Sequence, residues 1–282
     1  MRVLVPIEVL EGETVPSSLF DLLAPADVTL LGYHVLPEQT APGQARQQFE
    51  ERAVDALQDV AASYAGQGTI ETRLVFTHDE HQTIDRVADE VGADAFVVPG
   101  AIGAVDSLLV PLTGDVAVDN VLEFVEALVA GRDVSVTLFL ASEDTDGARQ
   151  LLETSARRLR EAGIDAATRL VTARPFEGLL AAVPGHDAVV MGEAAPSLRS
   201  FVLGDEAERI AAASVGPVVV VRRTVRQDGA WWRLGRAVQK PAEETGTSAV
   251  EETGTSAVEE TGTPAVEETE TSEAEETSNQ GR

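Results

Sequence analysis

An α/β fold is predicted because short runs rich in β-branched residues alternate with segments of helical periodicity along most of the chain. Strands that alternate with helices of roughly 10 to 20 residues are typical of parallel sheets built from βαβ units. Short strings also recur in the same order in two halves of this region, which indicates a duplication. We therefore predict two repeated parallel-sheet units with helices on both faces, followed by an acidic tail.

The first half contains four predicted strands, at residues 3–7, 28–35, 72–76 and 95–98. A long helix is predicted over residues 43–64, where apolar side chains recur at helical spacing. A second helix is predicted after Thr77, because Thr77 and Glu80 have the spacing of a capping box.

The second half repeats this pattern and adds a last strand. Its predicted strands are residues 108–112, 134–140, 168–171, 188–191 and 218–221, and its predicted helices are residues 118–130, 146–162, 176–183 and 206–213. The first half has no room for an equivalent last helix and strand, since residue 108 already begins the second half.

Three pairs of strings carry the duplication. LVPI at residues 4–7 matches LVPL at 109–112, TRLV occurs at 72–75 and 168–171, and DAFV at 94–97 matches DAVV at 187–190. We predict a first, incomplete unit at residues 1–104, a second unit at 105–223, a linker rich in Trp and Arg at 224–240, and a tail at 241–282.

The predicted tail is an eight-residue repeat that begins at Glu243, Glu251, Glu259 and Glu267. It holds 12 acidic side chains and one basic one, and valine is its largest aliphatic residue. Such a segment buries too little apolar surface to offset the entropy of ordering, so we predict a disordered tail.

The charge of the chain limits its partners. There are 48 acidic and 21 basic residues, a net charge of −27, and Lys240 is the only lysine. This charge repels phosphate backbones, so no nucleic-acid partner is expected. A lysine-poor acidic surface favours a halophilic protein, because concentrated salt screens its self-repulsion.

The location is predicted from what the sequence lacks. There is no cysteine, and the apolar runs are shorter than the roughly 20 residues of a membrane span. The N-terminus has the pattern of a strand and not of a signal peptide. We expect a cytoplasmic protein without a membrane span.

The stretch from residue 187 to 222, DAVVMGEAAPSLRSFVLGDEAERIAAASVGPVVVVR, together with the early LVPI strand, resembles the universal stress protein family (UspA-like). The resemblance covers nearly all of residues 1–223, once per half. It implies a five-stranded parallel sheet per unit, similar to adenine-nucleotide hydrolase-like folds, and a role in the stress response. The acidic bias and the tandem arrangement resemble haloarchaeal members.

ATP-binding members of this family carry the motif G-x2-G-x9-G-[ST] after the fourth strand. The resemblance places Gly192 at its first position and Gly204 near its third, but Ala195 replaces the second glycine and Asp205 stands where a hydroxyl is wanted. A carboxylate beside a triphosphate is repulsive unless a metal intervenes. We therefore expect no cofactor, with ATP as the alternative.

Two further positions belong to this implied nucleotide site. The family's aspartate at the end of the first strand corresponds to Glu8 in the first half and Thr113 in the second. Gly100 and Gly103 in the first half match only the opening pair of glycines in the motif.

The remaining candidates are weaker. Trp231, Trp232 and Arg233 are candidate contacts to a protein partner, since tryptophan and arginine are frequent contact residues; covering the end of the sheet is the alternative. His78 and His81 lack further ligands, so no metal site is predicted. The sequence shows no nucleophile and base at a defensible spacing, and we expect no enzyme.

Three functions follow from these observations: a regulatory stress-response binding protein without turnover, an ATP-binding protein with slow ATPase activity, and a cytosolic accessory protein of a membrane transporter.

Family members pair their last strands to form dimers. Because only the second half has this strand, we expect a homodimer through Val218–Val221. The alternative is that the first unit covers this strand within the same chain.

Overall fold

The computed structural model describes residues 1–12, 15–100, 103–112, 116–193, 210 and 216–223. The strands are β1 (Arg2–Glu8), β2 (Asp27–Val35), β3 (Ile70–Thr77), β4 (Ala95–Val98), β5 (Ser107–Pro111), β6 (Ser135–Ala141), β7 (Ala166–Val171), β8 (Ala188–Gly192) and β9 (Val218–Val221). The helices are α1 (Ser17–Leu22), α2 (Pro42–Ala62), α3 (Glu80–Val91), α4 (Val118–Val129), α5 (Thr145–Glu161) and α6 (Pro175–Ala182).

All nine strands form one sheet in the order β3-β2-β1-β4-β9-β8-β5-β6-β7. Every neighbouring pair is parallel except β4 and β9, which are antiparallel. The order β3-β2-β1-β4 of the first half matches β7-β6-β5-β8 of the second. The predicted α/β class with a mostly parallel sheet is therefore confirmed.

The duplication extends to individual hydrogen bonds. In the first half the Asp94 carboxylate accepts from the Arg2 N–H at 2.8 Å, and the Asp94 N–H donates to the Arg2 carbonyl at 2.9 Å. In the second half Asp187 makes the same two bonds to Ser107, at 2.9 and 3.0 Å. Each aspartate thus joins the start of its fourth strand to the start of its first strand.

Helices cover both faces of the sheet. Alternate residues of a strand point to opposite faces of the sheet. Val3 and Val5 lie in the core that includes α1, α2, α4 and α5. Leu4 lies in the core on the other face, which includes α3 and α6. The strands are buried on both sides, which explains why they are nearly continuous apolar runs.

The predicted elements lie close to the observed ones, with three differences. Helix α1 was not predicted, because six residues give too short a periodic pattern. Helix α3 does not begin with the predicted capping box: Asp79 is its N-cap and accepts from the Gln82 N–H at 2.9 Å. The helix predicted at residues 206–213 lies outside the described residues apart from Ile210, which is buried.

The expected open edge at Val218–Val221 is wrong. Strand β9 pairs with β8 on one side and with β4 on the other, where Val97 lies opposite Val219. A homodimer through this strand would have to displace β4. The first half covers the strand within the same chain, as in the alternative above, and the sheet ends at β3 and β7.

The described residues all belong to one compact unit. The predicted boundary between residues 104 and 105 therefore divides a single continuous sheet. None of the described helices is long and apolar enough to cross a lipid bilayer.

Candidate ligand site at the carboxyl edge of the sheet

Ligands of open α/β sheets bind outside the carboxyl ends of the parallel strands. Because β4 and β9 are antiparallel, the two halves run in opposite directions and their carboxyl ends lie at opposite edges of the sheet. The first half brings Glu8, His34 and Gly100 to or near its edge, and the second half brings Gly192 to the other.

The position of Gly192 is closed by packing. A Cβ added there would lie 2.9 Å from Val121 Cγ2, closer than real Cβ contacts, and 3.0 Å from Val116 Cβ, which is tighter than most of them. Glycine is required at this position because α4 and the segment before it approach the end of β8. The predicted phosphate-approaching glycine therefore has a structural reason that needs no nucleotide.

A buried carboxylate follows Gly192 directly. Glu193 is 9% exposed, and its side chain accepts a hydrogen bond from the Arg223 N–H at 2.9 Å. Its own N–H donates to the Val221 carbonyl at 2.7 Å, so it fixes the chain that leaves β9 to the end of β8. This negative group at the start of the loop disfavours phosphate there, and sequence comparison with the ATP motif did not single it out.

The glycines of the first half also have structural explanations. A Cβ on Gly100 would collide with the backbone of Gly216, so this glycine lets the two chain segments approach closely. Gly103 has open space around it.

Three potential metal ligands meet at the carboxyl edge of the first half. Glu8 ends β1, Glu11 follows in the next turn, and His34 lies at the end of β2; one ligand atom from each lies within 4.8 Å of the others. The distance from His34 Nδ1 to Glu8 Oε1 is 3.7 Å. Sequence analysis missed this group because strand pairing, and not sequence proximity, brings His34 beside Glu8.

The other histidine candidates do not form such a group. His78 Nδ1 lies 3.2 Å from the Leu36 carbonyl oxygen, and His81 is exposed. Among the residues that the structure describes, the Glu8, Glu11 and His34 group is the one set of three potential ligands.

Several predicted site residues lie outside the described residues, so their predictions stay untested. They are Thr113, Ala195, Gly204, Asp205, Trp231, Trp232 and Arg233.

The sheet order and the helices on both faces match the fold of the universal stress proteins. A universal stress protein from Archaeoglobus fulgidus DSM 4304 superimposes with a TM-score of 0.59 at 16% identity, covering 80% of this chain and 97% of that chain. At this identity the comparison shows a shared fold.

Two further structures are less similar. A universal stress protein in complex with cAMP matches 43% of this chain and 100% of its own, with a TM-score of 0.37 and 19% identity. A functionally unknown protein from Pseudomonas aeruginosa PAO1 matches 78% and 92%, with a TM-score of 0.43 and 12% identity. By sequence, no family model and no curated protein matches this chain.

Proposed function

We propose that this chain is a regulatory stress-response protein of the tandem universal stress protein type, which acts by binding a ligand or a partner and has no catalytic turnover. The two matching halves of the sheet correspond to two such units in one chain. The acidic, lysine-poor composition fits a salt-rich, haloarchaeal cytoplasm.

The observation that carries this proposal is the packing around Gly192. The side chains of Val116 and Val121 occupy the space over its Cα, and the Glu193 carboxylate follows at once. Phosphate binding by glycine-rich loops depends on open backbone N–H groups and on the absence of nearby negative charge. The Glu193 carboxylate violates the second of these requirements, which supports a regulatory role over ATP hydrolysis.

An ATP-binding protein with slow ATPase activity is the second candidate. It is favoured by one observation, that Gly192 ends β8 at the carboxyl edge where α/β folds bind ligands.

A role as an accessory protein of a membrane transporter depends on Trp231, Trp232 and Arg233, which lie outside the described residues, and it stays a prediction.

Titration calorimetry of the full chain with ATP and cAMP in molar KCl separates the first two candidates. We expect no binding tighter than the millimolar range and no phosphate release above background. Submillimolar affinity for ATP together with its hydrolysis would contradict the proposal and favour the ATPase.

A further inference from the structure

The group formed by Glu8, Glu11 and His34 has the chemistry of a metal site. It offers two carboxylates and one imidazole, and its three ligand atoms lie within 4.8 Å of one another. The ligand atoms around one ion of Zn²⁺ size are about 2.1 Å from it, so they are separated by about 3.4 Å in a tetrahedral arrangement. The 3.7 Å between His34 Nδ1 and Glu8 Oε1 is already close to this separation, and the Glu11 side chain is exposed, so it has room to rotate toward an ion.

The His34 ring is held in place before any ion binds. Its centroid lies 6.2 Å from that of Phe49 on α2 and 6.4 Å from that of Phe76 on β3, both in edge-on arrangements. These two rings limit the rotation of the imidazole and leave its Nδ1 toward Glu8. Preorganisation of this kind lowers the entropic cost of ligation.

The Nδ1 atom of His34 is buried and has no hydrogen-bond partner. The Glu8 oxygen at 3.7 Å is too distant for a hydrogen bond, although the charges attract if His34 is protonated. Buried polar nitrogen atoms are normally paired. A cation between the imidazole and the two carboxylates would satisfy this nitrogen and would also offset the repulsion between Glu8 and Glu11.

The surrounding structure explains how the three residues meet. Strands β1 and β2 are parallel neighbours, and Glu8 lies opposite Tyr33 in their register, next to His34. Residues 9–12 form a turn directly after β1, and this turn keeps Glu11 close to Glu8 at the end of the strand. The group is partly open to solvent: the side chains of His34 and Glu8 are 19% and 27% exposed.

We propose that Glu8, Glu11 and His34 bind a divalent transition-metal ion of the Zn²⁺ class. The imidazole selects such ions over Mg²⁺ and Ca²⁺, which prefer oxygen ligands alone. Three protein ligands leave a coordination position for water or for an added anionic ligand. The site lies in the first half, away from Gly192, and the inference does not depend on the proposed function.

The test uses the full chain, treated with chelator and then dialysed into molar KCl with millimolar Mg²⁺, which occupies the many surface carboxylates. Zn²⁺ and Co²⁺ are then titrated by calorimetry and by visible absorption. We expect one Zn²⁺ to bind per chain. Bound Co²⁺ should give a visible absorption band that indicates coordination by a nitrogen atom. His34→Gln should weaken Zn²⁺ binding by more than about tenfold, and Glu11→Gln should weaken it as well.

The other three histidines supply matched controls. His78→Gln, His81→Gln and His186→Gln should leave Zn²⁺ affinity unchanged. Because Glu11 is exposed, Glu11→Gln should fold normally, so it tests the site even if His34→Gln does not fold. The proposal would be overturned by the absence of Zn²⁺ binding in the wild type, by equal loss in His81→Gln, or by unchanged affinity in Glu11→Gln.

Discussion

Asp187 and Ser107 are joined by both side-chain and backbone hydrogen bonds at the point where the second half of the sheet begins. The Asp187 carboxylate accepts from the Ser107 hydroxyl at 2.7 Å and from the Ser107 N–H at 2.9 Å. The same oxygen accepts from the Asp106 N–H at 3.0 Å. Burial would raise the pKa of Asp187, but these hydrogen bonds outweigh it and hold the pKa below its usual value.

Asp187→Asn should therefore destabilise the protein, by about 1–3 kcal/mol, because an amide cannot accept from all three donors through one oxygen as strongly as a carboxylate does. Since the folded pKa lies below the unfolded value of about 3.9, the stabilisation is present above pH 3.9 and disappears as the pH falls through the folded pKa. Denaturant unfolding of both proteins at pH 7 and near pH 3 measures this.

The matched position in the first half provides the comparison. Asp94→Asn removes a carboxylate that accepts from the Arg2 N–H, and it should cost less than Asp187→Asn. If Asp187→Asn lowers the free energy of unfolding equally at pH 7 and at low pH, the carboxylate charge does not supply the stabilisation.

Val219→Pro should destabilise the whole body rather than dissociate a dimer. Strand β9 lies inside the sheet with partners on both sides, and proline in such a strand removes a ladder donor. The buried carbonyl left without its partner alone costs about 1–3 kcal/mol. Thermal unfolding measures the loss, and light scattering measures the mass. Val219→Ala keeps the N–H and should cost less. A stable Val219→Pro variant with half the wild-type mass would instead support a dimer through this strand.

The strands and most helices could be predicted from sequence because they depend on local patterns. The valine run of β9 and the apolar face of α3 are visible without any knowledge of their neighbours. The pairing of β9 with β4 could not be predicted from the sequence, because the two strands are far apart in the chain. It depends on which edge of the first half's sheet is left open.

The candidate sites show the same division between local and distant information. The sequence motif singled out Gly192 as a candidate. The structural reason for a glycine there is the close approach of Val116 and Val121, which depends on tertiary packing. His34 and Glu8 are far apart in the sequence, and only the parallel register of β1 and β2 brings them together.

Gly192→Ala should destabilise the protein by about 1–3 kcal/mol through overpacking, because its Cβ would meet Val121 Cγ2 at 2.9 Å. The double variant Gly192→Ala with Val121→Ala should recover part of this loss, since it removes the clashing methyl groups. A double-mutant cycle by denaturant unfolding measures the coupling. Additive losses in the two single variants would show that the two positions do not compete for space.

Removal of residues 241–282 should leave the folding of the rest of the chain unchanged. This segment is rich in carboxylates and poor in large apolar side chains, so its sequence offers little surface to bury against the sheet. Its negative charge also adds to that of the remaining chain, and any repulsion should shrink in concentrated salt. We therefore expect the truncated and full chains to unfold at the same temperature in molar KCl, with at most a small gain for the truncated chain in dilute buffer. Scanning calorimetry at both salt concentrations tests this, and a loss of several degrees on truncation in molar KCl would mean that the segment packs on the folded body.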